Sequence, residues 1–187
     1  MLRRATWAPW AALGLVLALA PGCPPREDTT ALLLRAHALG EEYRWAEARD
    51  YARRYLITRP DSAPGHLLYA KGCLRVALED MRLSIAQGEL ETALALFEAA
   101  PDLGPLADAW EPNQFLGLIH HELATVYFRR IYEVSDAGVP EALIKRDLER
   151  AREHVDLGLQ ADPESKSLQM MRETIAELLG GQKTVSV

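Results

Sequence analysis

The sequence predicts an all-α fold: a stack of helical hairpins, about seven helices in all, with two lengthened first helices and a C-terminal capping helix. Three observations carry this. From Ala31 to Leu179 the chain is rich in Ala, Leu, Glu and Arg and lacks β-branched clusters, a composition that favours helix. Prolines and glycines gather at Pro60 to Gly65, Pro101 to Pro105, Pro112, Gly138 to Pro140, Pro163 and Gly180-Gly181, so they separate helices rather than interrupt them. One apolar spacing also recurs three times along the chain.

The 187-residue chain opens with Met-Leu-Arg-Arg and an uncharged apolar stretch from Ala5 to Ala20 that holds Trp7, Trp10 and the run AALGLVLALA. A basic start, an apolar centre too short for a comfortable membrane span and small residues at the end are the regions of an export signal. Leu19-Ala20-Pro21-Gly22-Cys23 follows and resembles the lipobox of bacterial lipoproteins, closely at Gly22 and Cys23 and more loosely at Ala20 and Pro21. The alternative is an ordinary signal peptide with Cys23 incidental. The resemblance implies that residues 1–22 are a lipoprotein signal peptide cleaved between Gly22 and Cys23, and that Cys23 carries a covalent lipid, the only cofactor expected. Two or three acyl chains suffice for stable anchoring. Residues 23–30 are then the anchor and a short linker, 31–179 the helical domain and 180–187 a flexible tail. Pro24 to Thr30, fully extended, reaches roughly 25 Å, which holds the domain close to the bilayer.

Within the domain, Ala48, Ala52 and Pro60 stand at offsets of 0, 4 and 12, as do Ala93, Phe97 and Pro105, and Ala151, Val155 and Pro163. A large apolar residue, Trp45, Leu90 or Leu148, precedes each alanine by three. This pattern resembles the second helix of a tetratricopeptide repeat, where small residues let paired helices approach and a proline ends the unit. At the position of the family's second small residue stand Tyr55, Ala100 and Gly158; Tyr55 departs from it. The first-helix positions are filled by Leu32, Ala36 and Leu39, then by Tyr69, Ala70 and Cys73, and most closely by Leu123, Ala124 and Tyr127. A generic bundle with the same spacing by composition is the competing reading.

The units are 45 and 58 residues apart, against a repeat of about 34. The 11 extra residues of the second unit equal about three helical turns, which predicts one continuous helix over 66–86 with Leu67, Ala70, Leu74, Ala77 and Met81 in phase. The third unit predicts another long helix, from Asn113 to about Val134. Two loops, Asp102 to Pro112 and Glu133 to Pro140, take the remaining residues. From Ser165, Leu168, Met171, Ile175 and Leu178 mark the capping helix that a stack of repeats needs.

Chemistry is sparsely represented. His121-Glu122-Leu123-Ala124-Thr125 falls one histidine short of the H-E-x-x-H zinc signature, because Thr125 occupies the second ligand position and His120 points about 100° away. No phosphate-binding glycine loop, nucleophile elbow or C-x-x-C is present. Cys73 reads as a small buried hydrophobe. The reading is of a protein that is not an enzyme and holds no metal. The chain carries 21 basic and 27 acidic residues, a net charge of −6, and loss of Arg3 and Arg4 with the signal takes it to −8. That gives no electrostatic basis for binding nucleic acid.

The resemblance places a partner groove on the first helices, at Leu33, His37 and Glu41, at Leu67, Lys71 and Arg75, and at His121, Thr125, Phe128 and Arg129. Lys71, Arg75 and Arg129 would make it basic and suited to an acidic or extended peptide, or they are solvated charges on a helix face. Trp110, in a loop between prolines, is an interface anchor or a cover over the end of the bundle. The expected protein is a periplasmic lipoprotein, on the outer membrane by preference because Asp does not follow Cys23. It would serve as an interaction scaffold or assembly factor for a pilus, secretin or outer-membrane assembly complex, with a protein partner in or near the membrane. The alternative is an accessory ligand-binding lipoprotein of a transporter.

Overall fold

The computed structural model describes residues 28–76, 80–135 and 140–181. Gly22, Cys23 and the apolar N-terminal segment lie outside them, as does the tail after residue 181. Among the described residues seven α-helices follow one another: α1 Thr29–Glu41, α2 Trp45–Thr58, α3 Ala63–Val76, α4 Asp80–Ala99, α5 Pro112–Ser135, α6 Glu141–Ala161 and α7 Lys166–Gly181, with a single 3-10 turn at Gly104–Leu106. No strand occurs among the described residues, and no described helix is long and apolar enough to cross a membrane.

Each helix packs on the next, and the first helices of successive hairpins also touch, α1 on α3 and α3 on α5. These three helices therefore line one side of a hairpin stack, and α7 closes its end against α6. The core follows the same progression. One apolar cluster joins α1, α2 and α3 around Leu33 and Ala52, a second joins α3, α4 and α5 around Leu67, Leu90 and Ile119, and a third joins α5, α6 and α7 around Ala124, Ala151 and Leu168. Each helix has too little apolar surface to bury alone, and neighbours supply the rest.

The recurring positions explain the packing. Ala48, Ala52, Ala93, Phe97, Ala151 and Val155 are all buried, as are Leu90 and Leu148. Tyr55, the residue that departs from the pattern, is buried too, and the small partner it needs stands across from it. A Cβ at Gly65 would lie 2.9 Å from the Tyr55 ring and from Leu56. Gly72 brings α3 closer still, since a Cβ there would fall 2.5 Å from Arg49 Cβ and 2.9 Å from its Cα.

The structure moves several expected boundaries. Helix α1 begins at Thr29 because the Asp28 carboxylate caps it, accepting from Thr30 N at 2.9 Å. The helical domain thus begins two residues before the expected Ala31. The continuous helix expected over 66–86 does not form: α3 ends at Val76, and α4, with 20 residues, holds the added length in the second helix of that unit. Arg75 in the last turn of α3 suits the negative end of that helix's dipole. The long α5, with 24 residues, and the capping α7 form as expected. Helix α7 runs through Gly180 to Gly181, because glycine weakens a helix end without forbidding it.

Candidate functional site

The face made by α1, α3 and α5 divides into a covered part and an open part. The connection from α4 to α5 folds back onto it. Leu106 is buried in the cluster of Leu32, Leu33 and Ala36, and Leu103 in the cluster of Leu67 and Leu74. Trp110 packs over both clusters, its ring 5.0 Å from His37 in an edge-on contact and 5.3 Å from Phe115. Trp110 is thus a half-buried cover. Leu33 and Leu67 are fully buried, so neither can meet a partner, which corrects the groove expected at these positions. The physical reason is that the extra residues between the second and third units fill the first part of that groove themselves. His37 is half-buried against Trp110, and burial lowers its pKa, with the Lys71 charge acting the same way and Glu41 opposing.

The open part centres on Lys71, Arg75, His121, Thr125 and Arg129. The Arg75 guanidinium makes two hydrogen bonds to Glu122, at 2.9 and 3.1 Å, and lies 5.6 Å above the Trp45 ring. Lys71 Nζ stands over the same ring at 5.5 Å. Trp45 therefore presents an indole flanked by two cations, an arrangement stabilised by the ring quadrupole. Arg129 donates to the Leu74 carbonyl near the end of α3, and Thr125 to the His121 carbonyl one turn back on α5. Phe128 packs against the third core cluster.

Glu122 is the counter-ion of this face and is only 2% exposed. Burial alone would raise its carboxyl; His121, Arg75 and Lys71 outweigh that and hold it at about 2. His121 Nδ1 is 3.8 Å from Glu122 Oε1, close enough for attraction but beyond hydrogen-bond length. The three expected cations are thus neither a bare basic groove nor solvated charges. Arg75 and Arg129 are engaged in tying α3 to α5, and Lys71 leans on Trp45.

No family model, curated protein or solved structure matches this chain.

Three residues of this face escape sequence reasoning. Tyr43 is 82% exposed and holds a left-handed backbone, φ 59°, at the turn between α1 and α2. Its ring meets Trp45 edge-on at 6.5 Å. Together Tyr43, Arg44, Trp45, Glu47 and Arg75 line a shallow surface depression. Trp45 reads in sequence as the large apolar residue three positions before Ala48, and only its place beside α3 makes it part of the face. Glu122 reads as part of a failed zinc motif; its bond to Arg75 spans 47 positions that no local pattern connects. Among the described residues no group of three or more His, Cys, Asp or Glu side chains is arranged to hold a metal.

Proposed function

We propose that this chain is a lipoprotein anchored through Cys23 on the periplasmic side of a membrane, the outer membrane by preference. In this reading its tetratricopeptide-like stack is a non-enzymatic scaffold or assembly factor for an envelope complex. The observation that carries the binding role is the aromatic and cationic seat at one edge of the α1, α3, α5 face: exposed Tyr43 beside Trp45, with Lys71 and Arg75 over the indole. Large aromatics backed by arginine are the side chains that supply most energy at protein interfaces. Lys71, Arg75 and Arg44 are balanced there by Glu122, Glu42 and Glu47, so the seat is aromatic with paired charges of both signs and suits an extended segment of a protein partner. The sequence at Leu19 to Cys23 supports the anchor, and the five residues from Pro24 to Asp28 reach at most roughly 17 Å, which keeps the start of α1 near the bilayer.

Two measurements test this reading. Metabolic acyl labelling of the full chain should mark the protein and fail in Cys23→Ser; a label that survives the substitution removes the anchor. Crosslinking in intact cells should then give a defined membrane-protein adduct that Tyr43→Ala with Lys71→Ala reduces at least tenfold while helix content is unchanged. An undiminished adduct removes the seat from the binding role. Arg75 is unsuitable for this test because its loss strands the buried Glu122.

A further inference from the structure

His120 on α5 and His154 on α6 face each other with Nδ1 to Nδ1 at 3.2 Å. Their ring centroids are 5.5 Å apart. An imidazole nitrogen lies about 1.15 Å from its ring centre by covalent geometry, so the two nitrogens stand almost on the line joining the rings. That is the geometry of one N–H aimed at one lone pair. The fold is built around this contact. Gly158, one turn beyond His154, lets α5 approach, since a Cβ there would meet His120 Cβ at 3.2 Å and Leu168 of α7 at 2.8 Å. Tyr127, two turns along α5 from His120, stacks on His154 at 5.7 Å and 13°. Its hydroxyl is 3.2 Å from Gln87 Nε2 on α4, which ties the cluster to a third helix.

We propose that the His120–His154 pair is an acid-sensitive latch that holds α6 and α7 against α5 while at most one of the two rings is charged, and releases them when both are. In the neutral pair one Nδ1 donates and the other accepts. A first added proton goes to the outward Nε2 of the donor ring and leaves the bridge intact, now charge-assisted. A second has no site except the accepting Nδ1, which sets two N–H bonds against each other and two positive rings side by side.

The groups around the pair do not relieve this. Burial opposes charge on both rings first, most strongly on His120, which is 5% exposed. From α6, Arg150 opposes a charge on His154 and Glu153 favours it; from α4, Glu91 favours it. Glu91 is itself exposed and accepts from Gln87 at 2.6 Å, and Glu153 pairs with Arg150 at 3.2 Å. Arg130 of α5 adds positive charge over the Tyr127 ring. The face contributed by α7 is apolar at Leu168. The third core cluster, with Ala124, Leu148, Ala151 and Val155, is what opening would expose.

Hydrogen–deuterium exchange of the full chain in mild detergent, at pH 7.5 and pH 4.5 with intrinsic rates corrected, tests the latch. Expected at pH 4.5 is at least a tenfold loss of protection confined to α6, α7 and the part of α5 that faces them, with α1 to α3 unchanged. Uniform loss, or none, overturns the latch. His154→Gln, which keeps a hydrogen-bonding group but takes no proton, should cut the loss of protection at pH 4.5 at least threefold, leaving the part that burial of His120 contributes, and keep protection at pH 7.5 intact; an undiminished acid response overturns the latch. If that variant does not fold, titration of the histidine ring protons in the unaltered chain decides. His120 and His154 should titrate below the ordinary histidine range and in two separated steps, whereas independent ordinary titrations overturn the proposal.

Discussion

Removing the Arg75 side chain would leave the Glu122 carboxylate buried without its bidentate partner. Charged groups stranded in this way typically cost about 3–5 kcal/mol, far more than the pair itself contributes. Arg75→Ala should therefore lower stability by about 3 kcal/mol in urea unfolding. Arg75→Met combined with Glu122→Leu should recover most of that loss, and a double variant as unstable as the single one would show that the pair does more than neutralise itself. At this scale the sequence was only partly legible. Arg75 and Lys71 were readable as neighbours on α3 because they stand one helical turn apart. Glu122 and Trp45 were not, because their roles depend on contacts from α5 and α2, fixed by how the hairpins stack. The left-handed backbone of Tyr43 carries no local sign either, since no glycine or asparagine marks that turn.

Helix approach governs the next scale up. Helices α2 and α3 come closest at Gly72, where an added methyl would meet the backbone of Arg49 as well as its side chain. Gly72→Ala gains about 1 kcal/mol of helix propensity but forces the helices apart at about 1–3 kcal/mol. A net loss of about 1 kcal/mol is expected in thermal unfolding. Gly88→Ala, at an exposed position of α4 with nothing within 4 Å of the new methyl, should instead gain up to about 1 kcal/mol, which separates the close approach from general helix preference. The recurring Ala, Leu and Pro positions made the second helices readable, because small and large residues at fixed spacing record which face is pressed against a neighbour. The length of α3 was misread for the converse reason. Apolar periodicity runs in phase across 66–86, so the pattern does not show where one helix stops and the next starts.

Acid should weaken the protein in two stages, the first at its α5, α6 and α7 end and the second at the α3–α5 contact. His120, held near 4 by burial and by His154, is neutral in the folded chain where an ordinary histidine of 6.5 takes a proton. The unfolded chain thus binds more protons, and stability falls as pH drops from about 6.5 to about 4. Glu122 acts lower. Its contribution is present above the ordinary value of 4.5 and is lost as pH falls toward about 2. His66 opposes the first stage. Burial disfavours its charge, but Glu89 at 2.5 Å and the Pro60 carbonyl raise its pKa above 6.5, so its contribution is present below that value and fades as pH rises through the raised one. Melting temperature followed from pH 8 to pH 3 should fall in both stages. Glu122→Gln should flatten the lower one alone; a curve unchanged by that substitution would remove Glu122 as its source.

What the sequence alone determined is what repeats or lies close along the chain: an all-helical domain, its punctuation by proline and glycine, the three buried registers of its second helices and the cap at its end. Each is a local matter of helix propensity and apolar period, read within a few turns. The tertiary structure decided how the face made by α1, α3 and α5 is filled. It folded the 102–112 connection over His37 and Leu67, paired Arg75 with Glu122, and set His120 against His154. These contacts join residues 34 or more positions apart, and their energies come from desolvation and mutual orientation, which exist only once the hairpins have packed.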